Sequence, residues 1–288
     1  MSKQEVLSIL ENYGLSATRS LGQNFLCNDA VIDEILDLAK ITKSKQVLEI
    51  GPGIGALSEK AASSAAAYTA VEIDQTFTTR LHDLLDPLGG EVIFQDYLKW
   101  DADSLSGEKR SPDVILSNLP YYVMTPIMVK LMQDFPLCTK MVFMVEEEAC
   151  DRIFAMPGSK QYGPLAILTD LFGRKEKCFN VDGGSFYPAP NTTSSVIRIE
   201  RSLSNEDGQS NPHVSCFRDA EWFSMVTGAF ALRRKTLVNS LSSGGKYSKN
   251  QILSALSEMG QRETVRSEDL LPTDFVVLYQ ILRGRKGE

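Results

Sequence analysis

The chain has 288 residues, about twice the usual length of one domain, so it forms one large domain or two unequal ones. Hydrophobic residues make up 43% of it and charged residues 23%, which excludes an intrinsically disordered protein. The longest uncharged stretch, residues 114–129, is too short to cross a membrane, and the N-terminus has no apolar export signal. We therefore expect a cytoplasmic protein without a membrane partner.

The cysteines and histidines do not form recognisable clusters. Five cysteines, with no CxxC pair, predict free thiols in a reducing compartment. The two histidines, His82 and His213, lie far apart in the sequence. We therefore expect neither a metal site nor a histidine-based catalytic triad.

Charge is distributed unevenly along the chain, although the net charge is −7. Residues 1–200 carry 18 Lys and Arg against 27 Asp and Glu, whereas residues 228–288 carry 10 against 6. A basic C-terminal part on an acidic body permits contact with nucleic acid. An ordinary solvated helical face is the alternative interpretation.

The order of predicted elements indicates an α/β fold. Residues 47–50 form a short apolar run that ends at a glycine-rich turn and is followed by an alanine-rich helix. Similar apolar runs follow at 68–73, 92–94, 114–117 and 141–145, with helix-compatible segments such as 77–85 between them. Strands that alternate with helices predict a Rossmann-like parallel sheet covered on both faces.

The C-terminal part has a different pattern. Residues 201–216 are polar and turn-rich, which predicts a linker. Phe223, Val226, Phe230, Leu237 and Leu241 then fall on one helical stripe, and another helix is predicted at 249–258. We therefore expect a catalytic domain over 1–200 and a small all-helical domain over 217–288.

The glycine-rich turn, Gly51-Pro52-Gly53-Ile54-Gly55, is the first candidate binding element. Glycines between a strand and a helix permit a tight turn and a close approach of a ligand to the backbone. Ser58 replaces the last glycine of the dinucleotide fingerprint. This turn suits a cofactor without a pyrophosphate, such as S-adenosylmethionine, although a plain strand–helix turn could carry two of the glycines.

Acidic residues follow the next two strands. Glu72 closes the second strand, where it can accept hydrogen bonds from both ribose hydroxyls of a cofactor. Asp96 follows the third strand, where it can accept a hydrogen bond from the adenine amine. Either acid alone could be a solvated strand end, but aligned at one sheet edge they predict a nucleoside site.

The fourth strand runs into Asn118-Leu119-Pro120-Tyr121, which suits chemistry on an adenine amine. The asparagine oxygen and a neighbouring backbone carbonyl can accept the two N–H hydrogens, while proline fixes the turn. The tyrosine ring can stack on a flipped base and stabilise positive charge. The alternative is an ordinary turn with a core tyrosine.

Six segments together resemble a known family. They are Leu21–Leu26, Glu49–Gly55, Val71–Asp74, Asn118–Tyr121, Phe186–Pro190 and Arg233–Leu237. In this order they resemble the bacterial KsgA/RsmA-type small-subunit rRNA adenine N6,N6-dimethyltransferases over roughly residues 15–285.

The resemblance implies a function and a set of site residues. The reaction would dimethylate two adjacent adenosines in the 3′-terminal hairpin loop of 16S rRNA, late in small-subunit assembly. S-adenosyl-L-methionine would be the methyl donor and S-adenosyl-L-homocysteine the product, and we expect a monomer. Cofactor contacts would be made by Asn24, Leu26, Gly51, Gly53, Glu72, Asp96 and Asn118. Phe186, with Tyr121, would hold the target base, and Arg233, Arg234 and Lys235 would contact RNA.

Some residues depart from the family pattern. Tyr122-Val123-Met124 and Asn191-Thr192-Thr193 replace the usual Asn-Ile-Ser and Lys-Val-Asp, and Glu146 and Asp170 stand where glutamines are common. These changes leave the cofactor residues intact but affect the predicted RNA surface.

Three other functions stay open. A 23S rRNA adenine methyltransferase of the macrolide-resistance type shares the sheet and the target motif, but the C-terminal motifs favour the 16S enzyme. A DNA adenine methyltransferase lacks support because no DNA-reading module is recognisable. A non-catalytic assembly or transcription factor would be free to lose Glu72, Asp96, Asn118 and Tyr121, which are all present.

Overall fold

The computed structural model describes residues 1–105, 111–119, 123–201 and 215–284. They form two compact units. The first unit contains Met1–Cys150 and residues 174–201, and the second contains Asp151–Gly173 and residues 215–284. The segment Asp151–Gly173, which the sequence analysis placed in the N-terminal domain, therefore groups with the C-terminal helices. Most of the predicted linker lies outside the described residues.

The helices and strands alternate through the first half of the chain. In chain order they are α1 (Lys3–Asn12), β1 (Phe25–Leu26), α2 (Asp29–Ala39), β2 (Gln46–Ile50), α3 (Ser58–Ser64), β3 (Ala67–Glu72), α4 (Thr78–Leu85), β4 (Glu91–Phe94), β5 (Val114–Asn118), α5 (Met124–Asp134), β6 (Lys140–Glu146) and α6 (Glu147–Ile153). The five predicted strands correspond to β2–β6. Side-chain caps fix the first two helices: Ser2 forms a capping box on α1, and Asn28 accepts from two backbone N–H groups of α2.

The second half of the chain begins with a helix of the second unit and returns to the sheet. The elements are α7 (Pro164–Phe172), β7 (Arg174–Val181), β8 (Phe186–Tyr187), β9 (Ser194–Glu200), α8 (Ala220–Ala229), α9 (Leu237–Ser243), α10 (Lys249–Glu258) and α11 (Pro272–Gly284). The predicted helix at 249–258 is confirmed by α10. None of the helices in the described part of the chain is both long and apolar enough to span a membrane.

Seven of the described strands form one sheet in the order β4-β3-β2-β5-β6-β9-β7. The five strands β2–β6 are parallel to one another, whereas β9 and β7 are antiparallel and lie at one side of the sheet. The prediction of a parallel α/β sheet is therefore confirmed for its first five strands. Strand β2 pairs with both β3 and β5, so that Ile50 lies between Val71 and Ser117. The carboxyl ends of β2, β3 and β5 consequently meet at one edge.

The second unit has an aromatic core. The rings of Tyr162 and Phe230 lie 6.1 Å apart, and those of Phe172 and Phe217 lie 5.4 Å apart, both in edge-on geometry. The Trp222 ring is fully buried against Tyr279. Because Tyr162 and Phe172 come from the middle of the chain, these contacts explain why the segment Asp151–Gly173 belongs to this unit.

The predicted helical stripe from Phe223 to Leu241 is interrupted. Helix α8 ends at Ala229, and α9 begins at Leu237 after Thr236, whose side chain accepts from the Asn239 N–H. A continuous stripe from Phe223 to Leu241 would put Arg233, Arg234 and Lys235 on a helix. This expectation is wrong, because the three residues occupy the turn between α8 and α9. Apolar spacing alone does not reveal the cap that restarts the helix.

Candidate functional site

A cavity lies at the edge where β2, β3 and β5 end, and we call it the strand-end cavity. Its lining residues are Leu21–Leu26, Glu49, Gly51–Ile54, Ala56, Leu57, Glu72, Ile73, Asn118 and Leu119. The edge is the position at which open α/β sheets bind ligands. Six predicted cofactor residues, Asn24, Leu26, Gly51, Gly53, Glu72 and Asn118, thus line one cavity.

The glycine turn forms one wall of the strand-end cavity. Gly51 and Gly53 have backbone φ angles of 69° and 57°, a region that residues other than glycine rarely adopt. A Cβ added to Gly51 would meet no atom within 4 Å, whereas one on Gly53 would touch the Phe25 ring at 3.4 Å. The turn therefore offers bare backbone to a ligand on its open side.

Glu72 supplies a buried carboxylate at the end of β3. One oxygen accepts from the Gly53 N–H at 2.9 Å and the other from the Asp74 N–H at 2.8 Å. The side chain is 4% exposed, and burial raises the pKa of its carboxyl group against the lowering effect of these hydrogen bonds. Among the described residues no cation pairs with it. Each oxygen keeps a lone pair for a hydroxyl donor, so the site fits a ribose.

Glu49 is a second buried carboxylate that the sequence analysis did not assign to the site. It accepts from the Ser58 hydroxyl at 3.0 Å and from the Tyr68 hydroxyl at 2.5 Å. Burial raises the pKa of Glu49 to about 7, and the nearby Glu72 adds to that rise. Two buried acids that pair with no cation in the described part of the chain favour a ligand that carries positive charge, as S-adenosylmethionine does.

Asp96 and Ile73 follow the carboxyl ends of β4 and β3, respectively. Asp96 is half-buried after β4, accepts from the Leu98 N–H at 3.0 Å, and is not among the lining residues of the strand-end cavity. Ile73 follows Glu72 directly and is 48% exposed in the cavity wall. The sequence shows only that an apolar residue follows Glu72 directly, and the sequence analysis did not use this signal for Ile73.

Residues Leu21–Leu26, which we call the N-terminal segment, cover one side of the strand-end cavity. The Gln23 side chain accepts a hydrogen bond from the Thr18 N–H and donates one to the Asp74 carboxylate at 2.7 Å. These bonds connect the segment to the end of β3. Leu26 continues as β1 and pairs with Phe186 of β8. The segment is therefore fixed at two points around the residues that line the cavity.

Asn118 and Leu119, the described part of the target motif, line the same cavity. The Asn118 amide nitrogen donates to the Asn24 carbonyl at 3.0 Å, and the Leu119 N–H donates to the Met144 carbonyl at 3.1 Å. The Ser117 hydroxyl donates to the Ile50 carbonyl, which ties β5 to the glycine turn. Pro120, Tyr121 and Tyr122 lie outside the described residues, so the roles given to Pro120 and Tyr121 stay predictions.

Phe186 is not open to a ligand in this structure. Its ring is 3% exposed within the hydrophobic core, where Phe25 and Leu26 also lie. The role in holding a base therefore stays a prediction, and it requires movement of the side chains that cover the ring.

The basic segment of the second unit is exposed on the turn between α8 and α9. Arg233 donates to the backbone carbonyls of Lys160 and Tyr162 at 2.5 and 3.3 Å, and Arg266 donates to the Arg233 carbonyl. The Arg233 side chain therefore connects the turn between α8 and α9 to the loop that contains Lys160 and Tyr162. Arg234 and Lys235 are exposed beside it.

The fold and the strand-end cavity define an α/β enzyme class that binds a nucleoside-containing cofactor at the carboxyl edge of a parallel sheet. A sequence model of the ribosomal RNA adenine dimethylase family matches residues 14–279. The chain therefore belongs to this family.

Individual relatives agree over nearly the whole chain. A ribosomal RNA small subunit methyltransferase A of Bacillus licheniformis is 40% identical, and one of Geobacillus sp. is 38% identical, each over 96% of this chain and 94% of the relative. The crystal structure of a dimethyladenosine transferase from Plasmodium falciparum is similar with a TM-score of 0.68 and 26% identity, over 90% of this chain and 98% of that one.

Proposed function

We propose that the chain transfers methyl groups from S-adenosylmethionine to the N6 atoms of two adjacent adenosines in the 3′-terminal hairpin loop of 16S rRNA, during small-subunit assembly in the cytoplasm. The observation that carries the proposal is the pairing of β2 with both β3 and β5. This pairing puts Glu72 and Asn118 on opposite sides of Gly51, and both residues line one cavity, which supports a shared site for the cofactor and the target amine.

The residues of the strand-end cavity fit S-adenosylmethionine. Glu72 would accept the ribose hydroxyls, and the apolar Ile73 would contact the adenine, whose amine would reach Asp96. Gly51 and Gly53 would leave room for the methionyl part, and Asn24 and Leu26 would cover it. When bound, the cofactor supplies a methyl group attached to a positively charged sulphur.

The target motif would orient the adenine amine. The Asn118 amide oxygen would accept one N6 hydrogen and the Leu119 carbonyl the other, which favours a nucleophilic lone pair on the nitrogen. Pro120 would fix this turn, while Tyr121 and Phe186 would hold the ring of the flipped base. Because these interactions hold hydrogens rather than remove them, no histidine base is needed.

RNA binding would use phosphate contacts from the second unit. Arg234 and Lys235 are exposed, so their charges are available to phosphates. Arg233 already donates to the backbone carbonyls of Lys160 and Tyr162, so its contribution would be to hold the turn as well as to add charge.

The test is transfer of labelled methyl groups to purified ribosomal subunits that lack them. We expect label in 16S rRNA of small subunits and none in 23S rRNA of large subunits. The matched control is Asn118→Ala, which should still bind small subunits but turn over much more slowly, because the amide orients the amine in the transition state. Label in 23S rRNA would support the macrolide-resistance type, and tight binding of the unaltered chain without transfer would support a non-catalytic factor.

A further inference from the structure

The N-terminal segment and the target motif meet at one hydrogen bond. The Asn118 amide nitrogen donates to the backbone carbonyl of Asn24 at 3.0 Å. A carbonyl oxygen can only accept, so the nitrogen side of the amide must face it. The amide oxygen of Asn118 is thereby turned to the opposite side.

The Asn24 carbonyl is itself held in place. The Asn24 side chain donates to the Gly22 carbonyl at 3.1 Å, which closes a tight bend around the residue between them. On one side Gln23 is bonded to Asp74. On the other side Leu26 is paired with Phe186. The bend therefore presents its carbonyl to Asn118 from a braced backbone.

We propose that Asn24 is a positioning residue for methyl transfer, because the bend that its side chain closes holds the carbonyl that sets the orientation of the Asn118 amide. This inference rests on the proposed function and adds to the cofactor contact that family resemblance gives Asn24. The required orientation follows from the chemistry of the target amine.

The two N6 hydrogens of adenine need acceptors. An Asn118 amide turned by half a rotation would present its own N–H groups to them, so donors would face donors and the hydrogen bond would be lost. The Asn24 carbonyl prevents this because a turned amide would also bring two oxygens together. Since Leu21–Leu26 line the strand-end cavity, the amine-binding orientation of Asn118 depends on the segment that covers the cofactor.

A double-mutant cycle tests the proposal. Asn24→Ala removes the side-chain brace, and Asn118→Ala removes the amide that it positions. Single-turnover rates are measured on small subunits at saturating cofactor, with the cofactor Kd measured by calorimetry for each variant. We expect Asn24→Ala to lower the saturated rate at least about tenfold in the unaltered chain and less than about twofold in the Asn118→Ala background. Equal losses in the two backgrounds would overturn the proposal.

A control variant and a pH profile separate positioning from general damage. Asn12→Ala changes an exposed asparagine of α1 and should leave the rate unaltered. Asn118→Asp keeps an acceptor, but when ionised it has no hydrogen for the Asn24 carbonyl. Its rate relative to the unaltered chain should rise as pH falls from about 8 to about 6, because the protonated acid can donate again. A flat relative profile would contradict the proposal.

The proposed function and this inference fail separately. If the unaltered chain transfers no methyl group to small-subunit rRNA, the proposed function fails. If it transfers methyl groups and the cycle is additive, only the role of Asn24 fails.

Discussion

The two buried carboxylates of the strand-end cavity show what single residues reveal before the fold is known. Glu72 could be predicted because it closes an apolar run, and a strand end determines its position. Glu49 lies inside the run Val47–Ile50, and its hydroxyl partners come from positions 58 and 68, on α3 and β3. Partners on separate elements cannot be read from spacing along the chain, so its role in the site could not be predicted.

We predict that Glu72→Gln weakens cofactor binding at least about tenfold. The carboxylate serves two backbone N–H groups and, in our proposal, two ribose hydroxyls. An amide replaces one acceptor by a donor, and charge-assisted hydrogen bonds contribute roughly 1.5–3 kcal/mol each. Calorimetry gives the Kd, with Glu59→Gln on the exposed face of α3 as the control. An unchanged Kd would remove Glu72 from the ribose site.

We predict that Glu49 makes stability fall as pH rises. Its pKa of about 7 in the folded chain lies above its ordinary value, so its stabilising contribution is complete below about 4.5 and is lost as pH rises through 7. Glu49→Gln cannot ionise and should flatten this dependence, with a gain on the order of 2 kcal/mol above pH 7. Urea unfolding at several pH values measures it. Parallel pH profiles for both proteins would contradict the assignment.

At the scale of elements, the five strands with continuous apolar runs could be predicted, whereas the charged strand β7 could not. Strands β2–β6 follow such runs, whereas β7 contains Arg174, Lys175, Glu176 and Lys177 and lies at the sheet margin. The turn between α8 and α9 was hidden for another reason. Its flanking apolar residues keep helical spacing although Thr236 starts a new helix.

We predict that, in the turn between α8 and α9, Arg234 and Lys235 bind RNA whereas Arg233 also stabilises the fold. Arg234→Ala with Lys235→Ala should reduce the salt dependence of small-subunit binding by a slope of about two, since about one counterion is released per phosphate contact. Arg233→Ala should, in addition, lower the free energy of unfolding by about 1 kcal/mol, because the hydrogen bonds from its side chain to two backbone carbonyls are lost. Salt titrations and urea unfolding measure the two effects, with Lys43→Ala as the control. An unchanged salt slope for the double variant would assign RNA binding to other residues.

At the scale of the whole molecule, chain order does not predict unit membership. The sequence analysis ended the first domain at residue 200, yet Asp151–Gly173 packs with the C-terminal helices. This arrangement depends on ring contacts such as Phe172 with Phe217, which are distant in the sequence. Such pairings require three-dimensional structure, although the apolar composition of α7 is compatible with them.

We predict that Phe172→Ala destabilises the second unit by about 3–5 kcal/mol, because a fully buried ring is removed. The chain has two tryptophans, Trp100 in the first unit and Trp222 in the second. Unfolding is therefore followed by Trp222 fluorescence in a Trp100→Phe background and by Trp100 fluorescence in a Trp222→Phe background. The midpoint should fall for the Trp222 signal. A fall confined to the Trp100 signal would contradict the assignment of α7.

The most direct test of the central claim is nucleoside mass spectrometry of rRNA from unmethylated subunits incubated with the chain and S-adenosylmethionine. We predict N6,N6-dimethyladenosine at the two adjacent adenosines of the 16S 3′-terminal hairpin and none in 23S rRNA. Asn118→Ala should sharply reduce the amount formed while still sedimenting with small subunits. Dimethyladenosine confined to 23S rRNA, or none in either rRNA despite binding by the unaltered chain, would contradict the claim.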